Sequence, residues 1–207
     1  GDIDIVGIRA DMIAEAEILK LINNVLDTAE MTDYVIKINF RQNLEKIFAK
    51  VGIKASKNYF KSLCISIDKL DKHPWEYVIN ELESKKVTLE QCKELEILFK
   101  DNYVDEKVQE TMNLLNKYLT IMKVKNVVFD ATLARGLDYY TGLIYEVVFP
   151  GSELGSVIAG GRYDRLIYKT VKKNKVYIPA IGVSFGISRL TLLLKKSLLE
   201  KPFKIYI

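Results

Sequence analysis

Apolar residues recur along the 207-residue chain in two patterns, one helical and one extended. Helical spacing begins after Asp11, a predicted N-cap, and continues to Ala29. β-Branched and aromatic residues predict a strand end at 3–7 and strands at 34–39, 127–133, 143–149, 156–159 and 178–183. A long helix is predicted over 184–199. Several of these strands are joined by short turns, whereas parallel neighbours need crossovers of about a dozen residues or more, so the pattern favours an antiparallel sheet.

The region from residue 53 to residue 125 differs in composition from the rest of the chain. It contains no glycine and no arginine, and its lysines and glutamates alternate with apolar residues at helical spacing. Signals for helix starts are Pro74 and two predicted capping boxes, Asn39 with Gln42 and Thr88 with Gln91. We therefore predict an α+β domain formed by residues 1–52 and 126–202, interrupted by an all-helical insertion at 53–125.

The overall composition is typical of a globular protein, with 49% hydrophobic and 28% charged residues. No apolar run reaches the roughly 20 residues of a membrane-spanning helix. Cys64 and Cys92 are too few for a disulfide framework and form no CxxC pair for zinc, so we expect buried thiols and a reducing compartment. The net charge of +4 is only a slight indication of nucleic-acid contact.

The arginines are concentrated in one part of the chain. Four of the six lie in a single glycine-bearing region: Arg135, Arg162, Arg165 and Arg189. The planar guanidinium binds phosphate and carboxylate groups more specifically than a flexible lysine does. This distribution predicts an anion-binding site in the second half of the chain.

The turn at residues 135–142 carries more polar chemistry than a hairpin connection requires. Arg135 supplies a cation for a carboxylate or a phosphate. Tyr139 and Tyr140 supply flat walls with a hydroxyl each, which suits a small ring that needs hydrogen bonds. A plain hairpin turn, with the tyrosines packed in the core, is the alternative.

Two further turns have related features. Gly160 and Gly161 permit close approach of a ligand to the main chain, and they precede Arg162, Tyr163 and Asp164. The alternative is that Arg162 and Asp164 simply pair with each other. The strand-to-helix junction at 182–189 offers free N–H groups at a helix start, which favours phosphate. Together the three turns predict a pocket between Ala131 and Arg189 for a small polar substrate and a phosphate-bearing cofactor.

These segments resemble known motifs. Residues 133–142 and 159–164 are similar to the two histidine-specific motifs of the histidyl-tRNA synthetase family, and residues 182–189 resemble motif 3 of the class II aminoacyl-tRNA synthetases. Residues 2–7 resemble the end of motif 2, and 34–39 and 66–72 resemble the eukaryotic-type enzymes. The resemblance implies a class II antiparallel-sheet catalytic core, with the helical insertion helping to hold the tRNA acceptor end.

The resemblance also implies an activity, which is ATP-dependent activation of histidine to histidyl-adenylate and transfer to tRNA(His). Arg135 would be the catalytic cation, contacting both the α-phosphate and the histidine carboxylate. The histidine site would comprise Asp4, which selects the imidazole, together with Arg135, Tyr139, Tyr140, Tyr163, Gly160 and Gly161. The ATP site would comprise Arg135, Gly186 and Arg189, with Mg²⁺ carried by the nucleotide and no metal site on the protein.

Further expectations follow from the family. A cytoplasmic homodimer is implied for the full-length protein. The chain lacks motif 1 and most of motif 2, and residues 203–207 resemble the first strand of an anticodon-binding domain, so we expect a fragment that is inactive alone. Ser188 and Arg165 depart from the family pattern, which has glutamate and glycine there.

Other interpretations of the same residues stay open. One is a non-catalytic, synthetase-like regulatory domain that senses histidine or uncharged tRNA. Another is a structural or protein-interaction fragment without a ligand, which requires coincidence at three turns. From the residues alone, Asp4 could be a solvated turn acid. His73, the only histidine, lies in the helical insertion, and we assign it no catalytic role.

Overall fold

The protein forms a six-stranded sheet with helices on its faces. The computed structural model describes residues 1–136, 139–166 and 178–200, the last six by their backbone alone. The strands are β1 Asp2–Val6, β2 Val35–Phe40, β3 Val127–Phe129, β4 Leu143–Val148, β5 Ile158–Arg162 and β6 Ala180–Phe185. The α-helices that we number are α1 Ile13–Thr28, α2 Arg41–Lys50, α3 Lys57–Ile67, α4 Trp75–Ser84, α5 Leu89–Lys100, α6 Glu106–Ile121 and α7 Ile187–Glu200, and a 3₁₀ helix spans Asp68–Asp71.

The strand order in the sheet is β1-β6-β5-β4-β2-β3. Neighbouring strands are antiparallel except β2 and β3, which are parallel. The parallel pair is possible because helices α2 to α6 connect its two strands and provide the long crossover it needs. The predicted α+β fold with a mainly antiparallel sheet is confirmed.

One face of the sheet packs against α1 and α6. Alternate residues of each strand point to this first core, as Ile36 and Ile38 do in β2. Leu115 and Leu119 of α6 also belong to it. A second core joins α2 to α5 with the segment that follows β3, including Ala131 and Leu133. Helix α6 therefore packs on the first core, although it lies within the predicted helical insertion at 53–125. The predicted domain boundaries stay a prediction.

Some local predictions are confirmed and others are wrong. The capping box of Thr88 and Gln91 is present at the start of α5. The predicted N-cap at Asp11 is wrong, because a turn places Met12 at the N-cap with a left-handed φ of 62°. The capping box at Asn39 is also wrong: Phe40 is the N-cap of α2, and the Asn39 amide bonds elsewhere.

The predicted strand at 127–133 ends early, at Phe129. Asp130 begins a turn, since its carbonyl oxygen accepts from the Leu133 N–H at 3.0 Å and its carboxylate accepts from the Thr132 N–H at 2.9 Å. Cys64 and Cys92 are free and buried, as expected. Burial raises the pKa of the Cys64 thiol to about 12 and that of Cys92 to about 11.

None of the described helices is long and apolar enough to cross a membrane. The predicted strand at 203–207 and residues 137–138 of the first motif lie outside the described residues.

Candidate active site

Sheet register brings Asp4 to the glycines of the second and third turns. Asp4 lies opposite Gly182 on β6, and Gly182 lies opposite Gly161 on β5. A β-carbon on Gly182 would overlap the Asp4 carboxylate. Any residue other than glycine at position 182 would therefore exclude the Asp4 side chain from this position. The neighbouring Gly160 lies beneath this group, next to the hydroxyl of the fully buried Tyr145.

Tyr163 holds the Asp4 carboxylate. Its hydroxyl donates a hydrogen bond to Asp4 Oδ1, although 159 positions separate the two residues in the chain. Partial burial, together with this hydrogen bond and the nearby charge of Asp4, raises the pKa of the Tyr163 hydroxyl. The hydroxyl therefore stays protonated as a donor at neutral pH.

The three predicted tyrosines form one aromatic group. The Tyr139 ring centroid lies 4.7 Å from that of Tyr140 and 6.3 Å from that of Tyr163, the latter with edge-to-face geometry at 89°. Tyr140 is buried in the second core, and burial raises the pKa of its hydroxyl to about 12. Tyr140 thus combines the expected wall position with ordinary core packing.

Arg135 lies beside the aromatic group with incomplete hydrogen bonding. Its side chain is 23% exposed, and its guanidinium carbon lies 5.8 Å from the centroid of the Tyr140 ring. Guanidinium Nη1 is 4.0 Å from Glu146 Oε2 on β4. The Nε atom is buried and donates to none of the described residues. A buried donor without a partner is costly, so this cation is suited to an anionic ligand.

Glu146 was not predicted from the sequence. Burial and the nearby charge of Asp71 raise the pKa of its carboxyl, although Arg135 and Lys37 lower it. Lys37 lies directly opposite Glu146 across the β2–β4 pair. A charged residue within an otherwise apolar strand is a signal that could have identified this position from the sequence.

Arg135, Gly186 and Arg189 line one cavity of about 430 Å³, which we call the Arg135 cavity. A β-carbon on Gly186 would lie 2.8 Å from the carbonyl oxygen of Val157, so glycine keeps this wall close to the sheet. Arg189, in the first turn of α7, donates to the carbonyl oxygen of Ser156. The predicted catalytic cation and the predicted ATP residues therefore meet in a single cavity.

A larger cavity of about 660 Å³ lies on the other side of Tyr139 and Tyr140, where it is lined by α2, α3 and Arg165. It contains none of the predicted glycines and lacks Arg135. We assign the candidate site to the smaller Arg135 cavity, because the predicted residues Arg135, Gly186 and Arg189 line it together. Tyr139 connects that cavity to Tyr163 and Asp4.

Arg162 forms the ion pair with Asp164 that was the alternative to a role in ligand binding. Its Nη1 lies 3.0 Å from the Asp164 carboxylate, and its Nε donates to the fully buried Glu15 of α1. These ion pairs connect β5 to α1, on the opposite face from Asp4. His73 stacks on Tyr77 at 4.2 Å between ring centroids, within the helical region. Among the described residues, no group of three or more His, Cys, Asp or Glu side chains could hold a metal ion.

The six-stranded, mainly antiparallel sheet is the catalytic-core architecture of a class II aminoacyl-tRNA synthetase. The crystal structure of histidyl-tRNA synthetase from Nostoc sp. PCC 7120 superimposes with a TM-score of 0.80 at 26% identity, covering 97% of this chain and 51% of that chain. A structure from Bacillus halodurans, titled as an ATP phosphoribosyltransferase regulatory subunit/histidyl-tRNA synthetase, shares the fold with a TM-score of 0.73 at 18% identity, covering 93% and 52%.

Sequence comparison identifies the family. The family model described as Histidyl-tRNA synthetase matches residues 5–190. The cytoplasmic histidine–tRNA ligase of Dictyostelium discoideum is 38% identical and the human mitochondrial enzyme 34% identical, each across 99% of this chain. The chain belongs to the histidyl-tRNA synthetase family. It spans about half the length of these relatives, 46% in both cases.

Proposed function

We propose that the protein containing this chain is a histidine–tRNA ligase. In the first step the histidine carboxylate attacks the α-phosphorus of ATP, forming histidyl-adenylate and releasing pyrophosphate. In the second step the terminal ribose hydroxyl of tRNA(His) attacks the histidyl carbonyl carbon and AMP leaves. The observation that carries the proposal is the Arg135 cavity, where an incompletely bonded cation faces a glycine and the arginine of α7.

Arg135 supplies charge stabilisation in the first step. Negative charge accumulates around the phosphorus in the transition state, and a fixed cation in a partly buried site stabilises that charge. The guanidinium can donate to a carboxylate and a phosphate at the same time because its donors form a planar fork. Glu146, 4.0 Å from Nη1, and the Tyr140 ring restrict where the guanidinium can lie.

Asp4 and Tyr163 recognise the imidazole ring in this proposal. Tyr163 donates to one carboxylate oxygen of Asp4, and the other oxygen can accept from a ring N–H. Tyr139, in edge-to-face contact with Tyr163, forms the adjacent wall. Gly161 and Gly182 let the Tyr140 ring and the Asp4 carboxylate lie directly against the sheet, since a β-carbon on either glycine would overlap them.

The nucleotide lies at the Gly186 end of the cavity. Gly186 leaves room for the adenosine, and Arg189 provides a cation for the γ-phosphate. ATP supplies the activated phosphoryl group, and Mg²⁺ is carried by the nucleotide. The start of α7 adds N–H groups that favour negative charge.

The remaining partners follow from family membership. We expect tRNA(His), with its acceptor end held in part by the helical region, and a homodimer for the full-length protein. We propose a cytoplasmic enzyme, which accords with the cytoplasmic relative at 38% identity, while a mitochondrial relative is 34% identical.

The direct test is amino-acid-dependent ATP–pyrophosphate exchange by the full-length protein, with each of the standard amino acids in turn. Exchange should require histidine, and charging of tRNA(His) should follow. Absence of histidine-dependent exchange, or equal exchange with several amino acids, would refute the proposal. The 207-residue chain alone serves as the second arm, and we expect it to be inactive.

A further inference from the structure

Asn39 is a buried amide with all of its bonds directed at the main chain. It lies in β2, is fully buried, and donates through Nδ2 to the carbonyl oxygens of Ala131 at 2.9 Å and Leu133 at 3.0 Å. Its Oδ1 accepts from the N–H of Phe40 at 2.8 Å. The side chain therefore joins strand β2 to the segment that follows β3.

That segment is held from a second side by Asn102, beyond the end of α5. Asn102 donates to the carbonyl oxygen of Phe129 at 3.0 Å and accepts from the N–H of Ala131 at 2.7 Å. Two side-chain amides, Asn39 of β2 and Asn102 after α5, thus hydrogen-bond the main chain of residues 129–133. Arg135 follows only two residues after Leu133, so its main-chain position is set largely by this segment.

We propose that Asn39 is a positioning residue for Arg135 in the activation step. The inference rests on the proposed function, because it assigns Asn39 an effect through the catalytic cation. Glu146, the Tyr140 ring and the nearby charge of Asp68 restrict the Arg135 guanidinium, but its buried Nε has no partner among the described residues. The location of the guanidinium therefore also depends on the main chain that carries it.

Asparagine suits this position because only an amide supplies two N–H donors and one acceptor in that shape. Aspartate has the same size but no donor, so it would direct a carboxylate oxygen at two carbonyl oxygens. The segment would then move away from β2 and carry Arg135 with it. Displacement of a catalytic group by about 1 Å can lower a rate by about 10²-fold.

The chain offers a matched control in Asn23. This residue of α1 is also fully buried, donates to the carbonyl oxygen of Lys125 at 3.1 Å and accepts from the N–H of Lys125 at 2.7 Å. It fixes the main chain before β3, whereas Asn39 fixes the main chain after it. Asn23→Asp therefore imposes a similar loss of buried bonds without acting on the segment next to Arg135.

The test is a double-mutant cycle in the full-length protein, with histidine-dependent ATP–pyrophosphate exchange as the readout. Asn39→Asp should lower kcat by about 30- to 100-fold, with KM for histidine and ATP changed less than about threefold, because the lost contact acts in the transition state. In an Arg135→Ala background the same substitution should have no further effect, since the residue it positions is absent. Asn23→Asp should lower the melting temperature about as much as Asn39→Asp does, but it should leave kcat within about threefold of wild type.

Several outcomes would overturn the inference. Equal losses of kcat in Asn39→Asp and Asn23→Asp would indicate a general structural effect, and so would losses that multiply in the double mutant. If Asn39→Asp does not fold, Asn39→Ser, which retains one donor, replaces it in the double-mutant cycle. A loss of kcat in Asn39→Ser that multiplies with the loss in Arg135→Ala would equally reject the proposal. A wild-type protein without histidine-dependent exchange would instead remove the proposed function itself.

Discussion

The two faces of strand β4 differ in what covers them. Leu143, Tyr145 and Val147 point to the first core, where α1 and α6 exclude water. Glu146, between two of them, points to the other face, where it lies near Lys37 and Arg135. A strand alternates sides with every residue, so one short sequence can stabilise the fold on one face and position charges on the other.

Stability and chemistry are therefore expected to be separable on this sheet. The residues of the first core are apolar and densely covered, so their loss should affect unfolding. On the other face, Arg135 is partly exposed and its buried Nε has no partner among the described residues, so its loss should affect reaction rates. A substitution on one face should therefore change mainly the free energy of unfolding, and one on the other face mainly the exchange rate.

Arg135→Ala should have the largest effect. We expect kcat for histidine-dependent exchange to fall by about 10³-fold, equivalent to about 4 kcal/mol, because the charge of the transition state loses its fixed cation. The melting temperature should change little, since Arg135 lies outside the first core. Arg135→Lys should give an intermediate rate, because it retains the charge without the planar fork.

Arg165→Ala is the control for that variant. Arg165 is exposed and lines the larger cavity rather than the Arg135 cavity, so exchange should stay within about threefold of wild type. A loss comparable to that of Arg135→Ala would move the site to the larger cavity and contradict our assignment.

Ile38→Ala should affect the free energy of unfolding rather than the exchange rate. Ile38 is 1% exposed in the first core, so its truncation should lower the free energy of unfolding by about 3 kcal/mol. Val128 is 45% exposed on the neighbouring strand β3, and Val128→Ala should change it by less than about 0.5 kcal/mol. Urea unfolding followed by circular dichroism measures both. Below the transition, kcat of Ile38→Ala should match that of wild type, and a large loss of rate would contradict the separation.

Glu146→Gln should have the smallest effect. It should raise stability slightly at neutral pH and lower the rate of exchange. Because burial and Asp71 raise the pKa of Glu146 in the folded protein, its contribution to stability is fully present below the ordinary glutamate pKa of about 4.3. That contribution is lost as pH rises through the folded pKa. The glutamine variant should lack this decrease and be slightly more stable at neutral pH, while exchange falls about tenfold because Arg135 loses its carboxylate neighbour.

The measurement is the melting temperature from pH 4 to 8 for wild type and variant, with exchange assayed at neutral pH. A variant that keeps the wild-type pH dependence of melting would show that Glu146 is not the titrating group. Unchanged exchange would show that Glu146 does not restrict Arg135.

Much of the fold could be predicted from local patterns. Strands β2, β4, β5 and β6 were each located to within a few residues, and the Thr88 capping box was identified, because these features depend on neighbours within a few positions. The predictions at Asp11 and Asn39 were wrong because a turn and a tertiary hydrogen bond override the local signal. The alternative for Arg162, an ion pair with Asp164, is confirmed, whereas its second ion pair, with the distant Glu15, could not be predicted from a local pattern.

Local patterns were sufficient for the family, the fold class and the three turns whose arginines, tyrosines and glycines predict an anion-binding site. Those signals are contiguous, so they can be read along the chain. Three contacts required the folded chain: Tyr163 donates to Asp4, Glu146 lies near Arg135, and Asn39 donates to the segment after β3. Each of these contacts joins residues on different strands or segments, and strand register and the packing of α1 to α6 set such distances rather than any local pattern.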